Sequence, residues 1–220
     1  EVRSGVQPGG KQSPRYHSFG CMYTRTTGIW QTVWVEAVAE CGLRDVHIVP
    51  DLDGQRFLIT PRFYALKPGL TFRAMLKDGG AVVAEVERVA VDGGGCQLSI
   101  PSPKPWSPAD PFLYDLVFEV VDGDVVIDTV LSYAGLRKVH VEGNRVLLNN
   151  EPIYLRLVLD QGFYPDGIWT APSDAALKCD IELSMAAGFN GARLHQKVFE
   201  PRFHYWADRL GYLTWGESSS

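Results

Sequence analysis

The 220 residues predict a two-part fold, an antiparallel β-sandwich followed by an α/β region with parallel strands. Two observations carry the prediction. Before residue 133, short runs rich in Val, Ile, Phe and Thr are bounded by Gly, Pro and Asp, the grammar of strands and tight turns. After residue 173, helical periodicity appears and alternates with short apolar runs, and helix-length crossovers are what join parallel neighbours.

In chain order, strands are expected over 29–36, 43–50, 55–65, 70–77, 97–100, 113–121 and 125–132. Asp78-Gly79-Gly80 and Asp122-Gly123 read as hairpin turns, because Gly accepts positive φ without a Cβ clash. Gly93-Gly94-Gly95 opens a strand rather than a helix, so it is not read as a phosphate loop. Runs 138–141 and 145–148 flank Glu142-Gly143-Asn144 as a further hairpin. Strands at 153–159, 190–195 and 212–217 then alternate with two helices. Ser173 caps the first, over about 174–187, with Leu177, Ile181 and Met185 on one face and Gly188 as its stop. Pro201 suits the first turn of the second, whose apolar stripe is Phe203, Trp206, Ala207 and Leu210 and whose stop is Gly211. The domains expected are an opening segment 1–38, a sandwich 39–136 and an α/β part 137–220.

Composition narrows the function. Lys and Arg number 21 against 26 Asp and Glu, a net charge of −5, with no dense basic run, which argues against nucleic acid as a partner. No apolar stretch approaches the roughly 18–20 residues that cross a bilayer, so no membrane segment is expected. With 45% hydrophobic and 21% charged residues, the chain reads as soluble and globular. It begins at Glu1 without a basic-then-apolar leader, which reads as a chain processed or cut from something longer. Cys21, Cys41, Cys96 and Cys179 have no zinc-type spacing and read as buried thiols, one disulfide being the alternative. The compartment, cytoplasmic or periplasmic/secreted, stays open.

Functional groups of parallel α/β sheets collect where the strands end. Those ends read Leu159-Asp160-Gln161, Arg193-Leu194-His195-Gln196 and Trp215-Gly216-Glu217. Alternation places Arg193 with His195, and Trp215 with Glu217. Asp160, Arg193, His195, Trp215 and Glu217 are therefore the expected substrate-binding set, a mixture of hydrogen-bonding groups and a stacking surface that suits a polyhydroxylated ligand. Structural readings stand beside this one: Arg193 as an ion-pair partner of Glu217 or Asp160, His195 as a core histidine, Trp215 as packing. Tyr164 and Trp169 read as loop anchors, with a sugar-facing wall as the alternative. The terminal Ser218, Ser219 and Ser220 lack a Gly-x-Ser-x-Gly elbow, and His195 and His204 are not spaced as a one-turn metal pair.

Several segments resemble glycoside hydrolase family 2, the family of β-galactosidases, β-glucuronidases and β-mannosidases. Gly28-Ile29-Trp30-Gln31-Thr32-Val33-Trp34-Val35-Glu36 resembles the strand that closes its sugar-binding domain. Trp106-Ser107-Pro108 with Pro111-Phe112-Leu113-Tyr114 resembles its immunoglobulin-like domain. Gly135-Leu136-Arg137 and Leu148-Asn149-Asn150-Glu151-Pro152-Ile153-Tyr154-Leu155-Arg156 resemble the start of its catalytic barrel. Gly188-Phe189-Asn190-Gly191-Ala192-Arg193 and Ala207-Asp208-Arg209-Leu210-Gly211-Tyr212 with Trp215-Gly216-Glu217 resemble its second and third barrel strands. The order is the family's own.

The resemblance implies the last strand of a jelly-roll sugar-binding domain, an immunoglobulin-like β-sandwich, and the first three strands of a TIM (β/α)8 barrel. It implies a retaining exo-β-glycosidase acting on a carbohydrate substrate through two carboxylic residues about 5 Å apart. Those carboxylates follow the fourth and seventh barrel strands, so no catalytic residue is assigned here and the chain alone is expected to be inactive. Arg193 matches an arginine that partners the nucleophile. Glu217 matches a position that helps hold magnesium in some β-galactosidases, but its companion ligands are not evident, so no metal and no cofactor are assigned. Leu157 stands where the family has Gly, and Asp160-Gln161 replaces a His-Glu pair. A homo-oligomer of the longer enzyme stays open. The competing reading is a noncatalytic carbohydrate-binding or interaction module; it calls for a row of exposed aromatics on one sandwich face, and Phe63, Tyr64, Phe72 and Trp106 are too irregularly spaced to make one.

Overall fold

Burial along the sandwich strands has a period of two residues, and this decides how they pack. In a computed structural model describing residues 11, 13, 15–20 and 22–218, strands β1 (Leu43–Asp51), β2 (Arg56–Phe63), β3 (Leu70–Asp78), β4 (Ala81–Val89), β5 (Cys96–Ser99), β6 (Tyr114–Asp122) and β7 (Val125–Ala134) form two antiparallel sheets. One has the order β1-β2-β5 and the other β4-β3-β6-β7. Phe57, Ile59 and Phe63 of β2 face Leu70, Phe72, Ala74 and Leu76 of β3 and Tyr114, Leu116, Phe118 and Val120 of β6 across one core. Gly79-Gly80 joins β3 to β4 with both residues at positive φ, as a two-residue hairpin loop requires. Strand β4 is missing from the runs expected from sequence. It is an edge strand exposed along most of its length, and its Glu85 and Glu87 reach Arg73 of β3, which also binds Glu119 of β6.

Trp106 is fully buried beside this core. Its backbone N–H donates to Leu136 O, the Arg137 guanidinium lies over its ring, and Gly135 passes so close that an added Cβ would stand 3.0 Å from the indole side chain. Strands β8 (Val139–Glu142), β9 (Arg145–Leu148) and β10 (Glu151–Pro152) follow in a three-stranded antiparallel sheet. Asn149 and Asn150 take left-handed φ at the β9–β10 turn, and Asn149 Nδ2 donates to Trp106 O at 2.9 Å. The chain divides into two units, Val35–Tyr154 and Glu1–Trp34 with Leu155–Ser220. The hairpin expected to open the second part at 137 thus belongs with the sandwich. The cause is local: Lys138 and Asn150 both bind Asp53, and Asn149 clamps the Trp106 segment.

The strand expected at 29–36 does not form. No ladder is assigned to it: Trp30 O accepts from Thr170 Oγ1, Gln31 Nε2 donates to Val198 O, and Val35 is 96% exposed; an extended run becomes a strand only when a neighbouring strand takes up its backbone N–H and C=O groups. In the second unit, β11 (Leu157–Asp160), β12 (Gly191–Leu194) and β13 (Leu213–Gly216) are parallel, with α1 (Asp174–Ala186) and α2 (Pro201–Leu210) as the crossovers. Ser173 caps α1 by accepting from Ala176 N–H, and Gly211 ends α2 in the left-handed conformation. Gly191 lets β12 approach β13: a Cβ there would stand 2.3 Å from Leu213 O. Leu177 and Ile181 of α1 and Phe203 and Ala207 of α2 bury one face of the sheet together with Ala192 and Leu194. The expectation of buried thiols needs correction. Cys41 and Cys96 are partly buried and Cys179 is exposed, all three as free thiols, while Cys21 lies outside the described residues, as do Ser219 and Ser220.

Candidate functional site at the ends of the parallel strands

The three parallel strands are in register, so their side chains form rows across the sheet. Leu159, Arg193 and Trp215 make one row; Asp160, Leu194 and Gly216 make the next. Successive rows face opposite sides. Leu194 points into the helix-covered core, which sends Leu157, Leu159, Arg193, Trp215 and Glu217 to the other side, where they line an open cavity of about 610 Å³. Trp215 is 55% exposed there and Arg193 51%, so neither is buried as core packing.

Glu217 is gripped from two directions. Arg193 Nε donates to Oε1, and the Gln196 backbone N–H donates to Oε2 at 3.0 Å. These bonds, the arginine first, hold its carboxyl below the usual glutamate range. Gln196 sits at φ +52°, a left-handed conformation that side-chain-bearing residues avoid, and its bond to Glu217 supports that geometry. A tied, ionised carboxylate accepts hydrogen bonds and orients ligand hydroxyls; it is a poor proton donor at neutral pH.

Asp160 is not part of this face. Alternation at the end of β11 turns it toward the helices, where Oδ1 accepts from Gly162 N–H at 2.8 Å. Burial pushes its carboxyl up, only partly offset by that bond, and Asp180 nearby adds to the rise. Counting strand ends was enough to place Asp160 near the mouth, but not to see that one residue beyond Leu159 reverses the direction of the side chain.

His195 lies just past β12. Its Nδ1 is 2.9 Å from Gln161 Oε1, and desolvation, with the Lys11 and Arg193 charges, lowers its pKa. Gln161 Oε1 also accepts from Lys11 Nζ at 2.6 Å and from Tyr23 OH. Lys11 is fully buried, and desolvation brings its pKa down to about 8. Lys197, 4% exposed, donates to Gly162 O at 2.8 Å and Trp169 O at 2.7 Å and lies over the Trp30 and Phe199 rings; burial lowers its pKa too. Sequence reasoning missed Lys11, Tyr23 and Lys197, because Lys11 and Tyr23 are 150 and 138 positions from their Gln161 partner. Gln161 did carry a signal, as one of the residues replacing the His-Glu pair.

Tyr164 and Trp169 are anchors of the loop after β11. Tyr164 OH donates to Asp180 Oδ2 at 3.0 Å, burial raises its phenol pKa, and the Trp169 ring meets Trp30 edge-on. The four sandwich aromatics weighed for a binding module form no exposed row. Phe63, Phe72 and Trp106 are buried, and of the four Tyr64 alone is exposed. Among the described residues, no group of three His, Cys, Asp or Glu side chains is arranged to hold a metal.

Residues 69–137, from the start of β3 to just past β7, match Glycosyl hydrolases family 2. Across most of its length the chain is similar to a β-galactosidase of Pseudoalteromonas haloplanktis, 26% identical over 216 residues that cover 88% of this chain and 20% of that protein. It is 29% identical over 143 residues to a putative β-glucuronidase of Formosa agariphila, covering 64% of this chain and 14% of the relative. Over the sandwich, the chain is similar to the family 2 glycosyl hydrolases. It spans about a fifth or less of the length of these curated relatives. Its fold is similar to part of a Ruminococcus gnavus β-glucuronidase solved with uronic isofagomine, with a TM-score of 0.70 and 24% identity over 81% of this chain and 29% of that one. The family 2 match lies on the sandwich, so the strand-end cavity rests on its own geometry.

Proposed function

We propose that this chain is the part of a retaining exo-β-glycosidase, of β-galactosidase or β-glucuronidase type, that supplies an immunoglobulin-like sandwich and the first three strands of a TIM barrel. Arg193, Trp215, Glu217 and His195 form one wall of its sugar subsite. The observation that carries this reading is the Arg193–Glu217 pair beside Trp215, at the C-terminal ends of neighbouring parallel strands, on the face away from the helices. Seven strands in sheets of three and four support the immunoglobulin-like reading of the sandwich. Strand-helix-strand-helix-strand order with parallel pairing supports the barrel reading.

Each residue has a distinct task. Trp215 offers an apolar ring face to the C–H face of a sugar, and the Glu217 carboxylate accepts from hydroxyl groups while Arg193 holds it in place. Asp160 supports the β11 loop behind the sheet. Retaining hydrolysis needs two carboxyl groups about 5 Å apart. Among the described residues, Glu217 is the carboxylate lining the cavity, and it is held ionised by Arg193. The 220-residue chain by itself therefore turns over no β-glycoside. The ligand is a carbohydrate; a net charge of −5 with no dense basic run in the sequence argues against nucleic acid, and no helix among the described residues is long and apolar enough to cross a membrane.

The test uses aryl β-galactoside and aryl β-glucuronide with both the 220-residue chain and the full-length protein that contains it. Release of aglycone by the full-length protein, none by the chain, and a rise of about tenfold in KM on Trp215→Ala, equivalent to ~1.4 kcal/mol of lost stacking, are expected. A full-length protein that hydrolyses neither substrate overturns the reading. So does turnover by the chain alone that disappears in Glu217→Gln.

A further inference from the structure

Three polar side chains from distant parts of the sequence converge on one atom, Gln161 Oε1, and one of them settles what that atom is. Lys11 Nζ stands 2.6 Å away. An ammonium has three donors and no acceptor, so the group facing it must be the amide oxygen and not the amide nitrogen. The orientation of Gln161 follows, and Tyr23 OH, bonded to the same oxygen with its ring against Phe163, fastens it. His195 Nδ1 lies 2.9 Å from that oxygen. Amide oxygen accepts only, so Nδ1 must carry the proton. A neutral imidazole protonated at Nδ1 keeps a lone pair at Nε2.

We infer that Gln161 is a positioning residue that holds His195, just past the end of β12, as the neutral Nδ1–H tautomer, leaving Nε2 as an acceptor for a hydroxyl group of a sugar bound at the strand ends. The sugar in this statement rests on the glycosidase reading; the tautomer does not. The charges around the ring favour the neutral form. Lys11 and Arg193 oppose a second proton, Glu217 is the acidic group that favours one, and desolvation sides with the cations. The consequence is selective. An acceptor at Nε2 rewards a ligand hydroxyl aimed at it and disfavours a carbonyl or ether oxygen in the same place, since two acceptors then face each other.

The closing experiment reads the ring nitrogens of the 220-residue chain by 15N NMR with labelled histidine, His195→Asn assigning the signal. At neutral pH the wild-type spectrum is expected to show Nδ1 protonated and Nε2 bare. A protonated Nε2, with or without Nδ1, overturns the inference. In Gln161→Leu the ring should switch to the Nε2–H form that free histidine prefers; an unchanged Nδ1–H form shows that Gln161 is not what sets it. Gln161→Glu keeps the oxygen and the shape, so it covers the event that the leucine variant does not fold. It should retain Nδ1–H and raise the titration midpoint of His195, and an unmoved midpoint overturns the contact. In the full-length protein, Gln161→Leu should lower kcat/KM for aryl β-glycosides about tenfold, through KM. A wild-type protein inert on these substrates removes the sugar from the inference, while the spectra decide the role of Gln161 independently.

Discussion

Replacing Lys197 by Met tests how the loop after β11 is held. The side chain is buried, and its ammonium donates to two backbone oxygens, Gly162 O at 2.8 Å and Trp169 O at 2.7 Å, with Glu200 Oε2 at 3.7 Å. Methionine fills nearly the same volume but donates nothing. Two carbonyls lose their partner, each costing about 1–3 kcal/mol if left buried and unmatched. Against this, the variant no longer desolvates a cation, and burial already strains the charged form of Lys197. The first effect is counted twice and the second once, so a net loss of about 2–4 kcal/mol is expected. Urea unfolding followed by tryptophan fluorescence reads it, because Trp30 lies under the ammonium and Trp169 supplies one of the two carbonyls. Hydrogen exchange should show the loss of protection confined first to the 161–171 loop. A variant within about 0.5 kcal/mol of wild type, with that loop equally protected, would refute the assignment of Lys197 as its clasp.

Two further outcomes follow from the geometry. Trp106→Ala empties a fully buried site and removes the surface on which Gly135 and Arg137 pack, so it should cost the sandwich about 3–5 kcal/mol in thermal or chemical unfolding; a cost under ~1 kcal/mol would contradict that packing. Glu217, whose carboxyl is lowered by Arg193 and Gln196 N–H, should titrate below an ordinary glutamate in a 13C carboxyl NMR experiment. The stability it contributes is present above the unfolded value and lost as pH falls through the lowered folded one. Arg193→Met should bring the midpoint up toward the ordinary value, and an unmoved midpoint would mean that the ion pair does not form in solution.

Much of the fold was legible because its causes are local. Ser173, Pro201, Gly188 and Gly211 mark helix ends through their own backbone and capping chemistry, and the strands of the sandwich core announce themselves through alternating apolar residues. Where the cause was a neighbour, the sequence misled. Residues 29–36 have strand composition but join no ladder, and their backbone meets a side chain instead, Thr170 Oγ1 on Trp30 O; β4 is an edge strand whose glutamates are matched by Arg73 of its neighbour.

The candidate site divides along the same line. That Arg193, Trp215 and Glu217 share a face follows from the two-residue period within each strand together with the expectation of parallel neighbours, and both are written in the order of residues. That Lys197 clasps a loop, and that Lys11 and Tyr23 meet Gln161 across more than a hundred residues, depend on which surfaces folding brings together. Side-chain direction is a property of a strand's register and is set within a few residues. Burial of a charge and choice of a tautomer depend on partners whose distance along the chain carries no information about their distance in space.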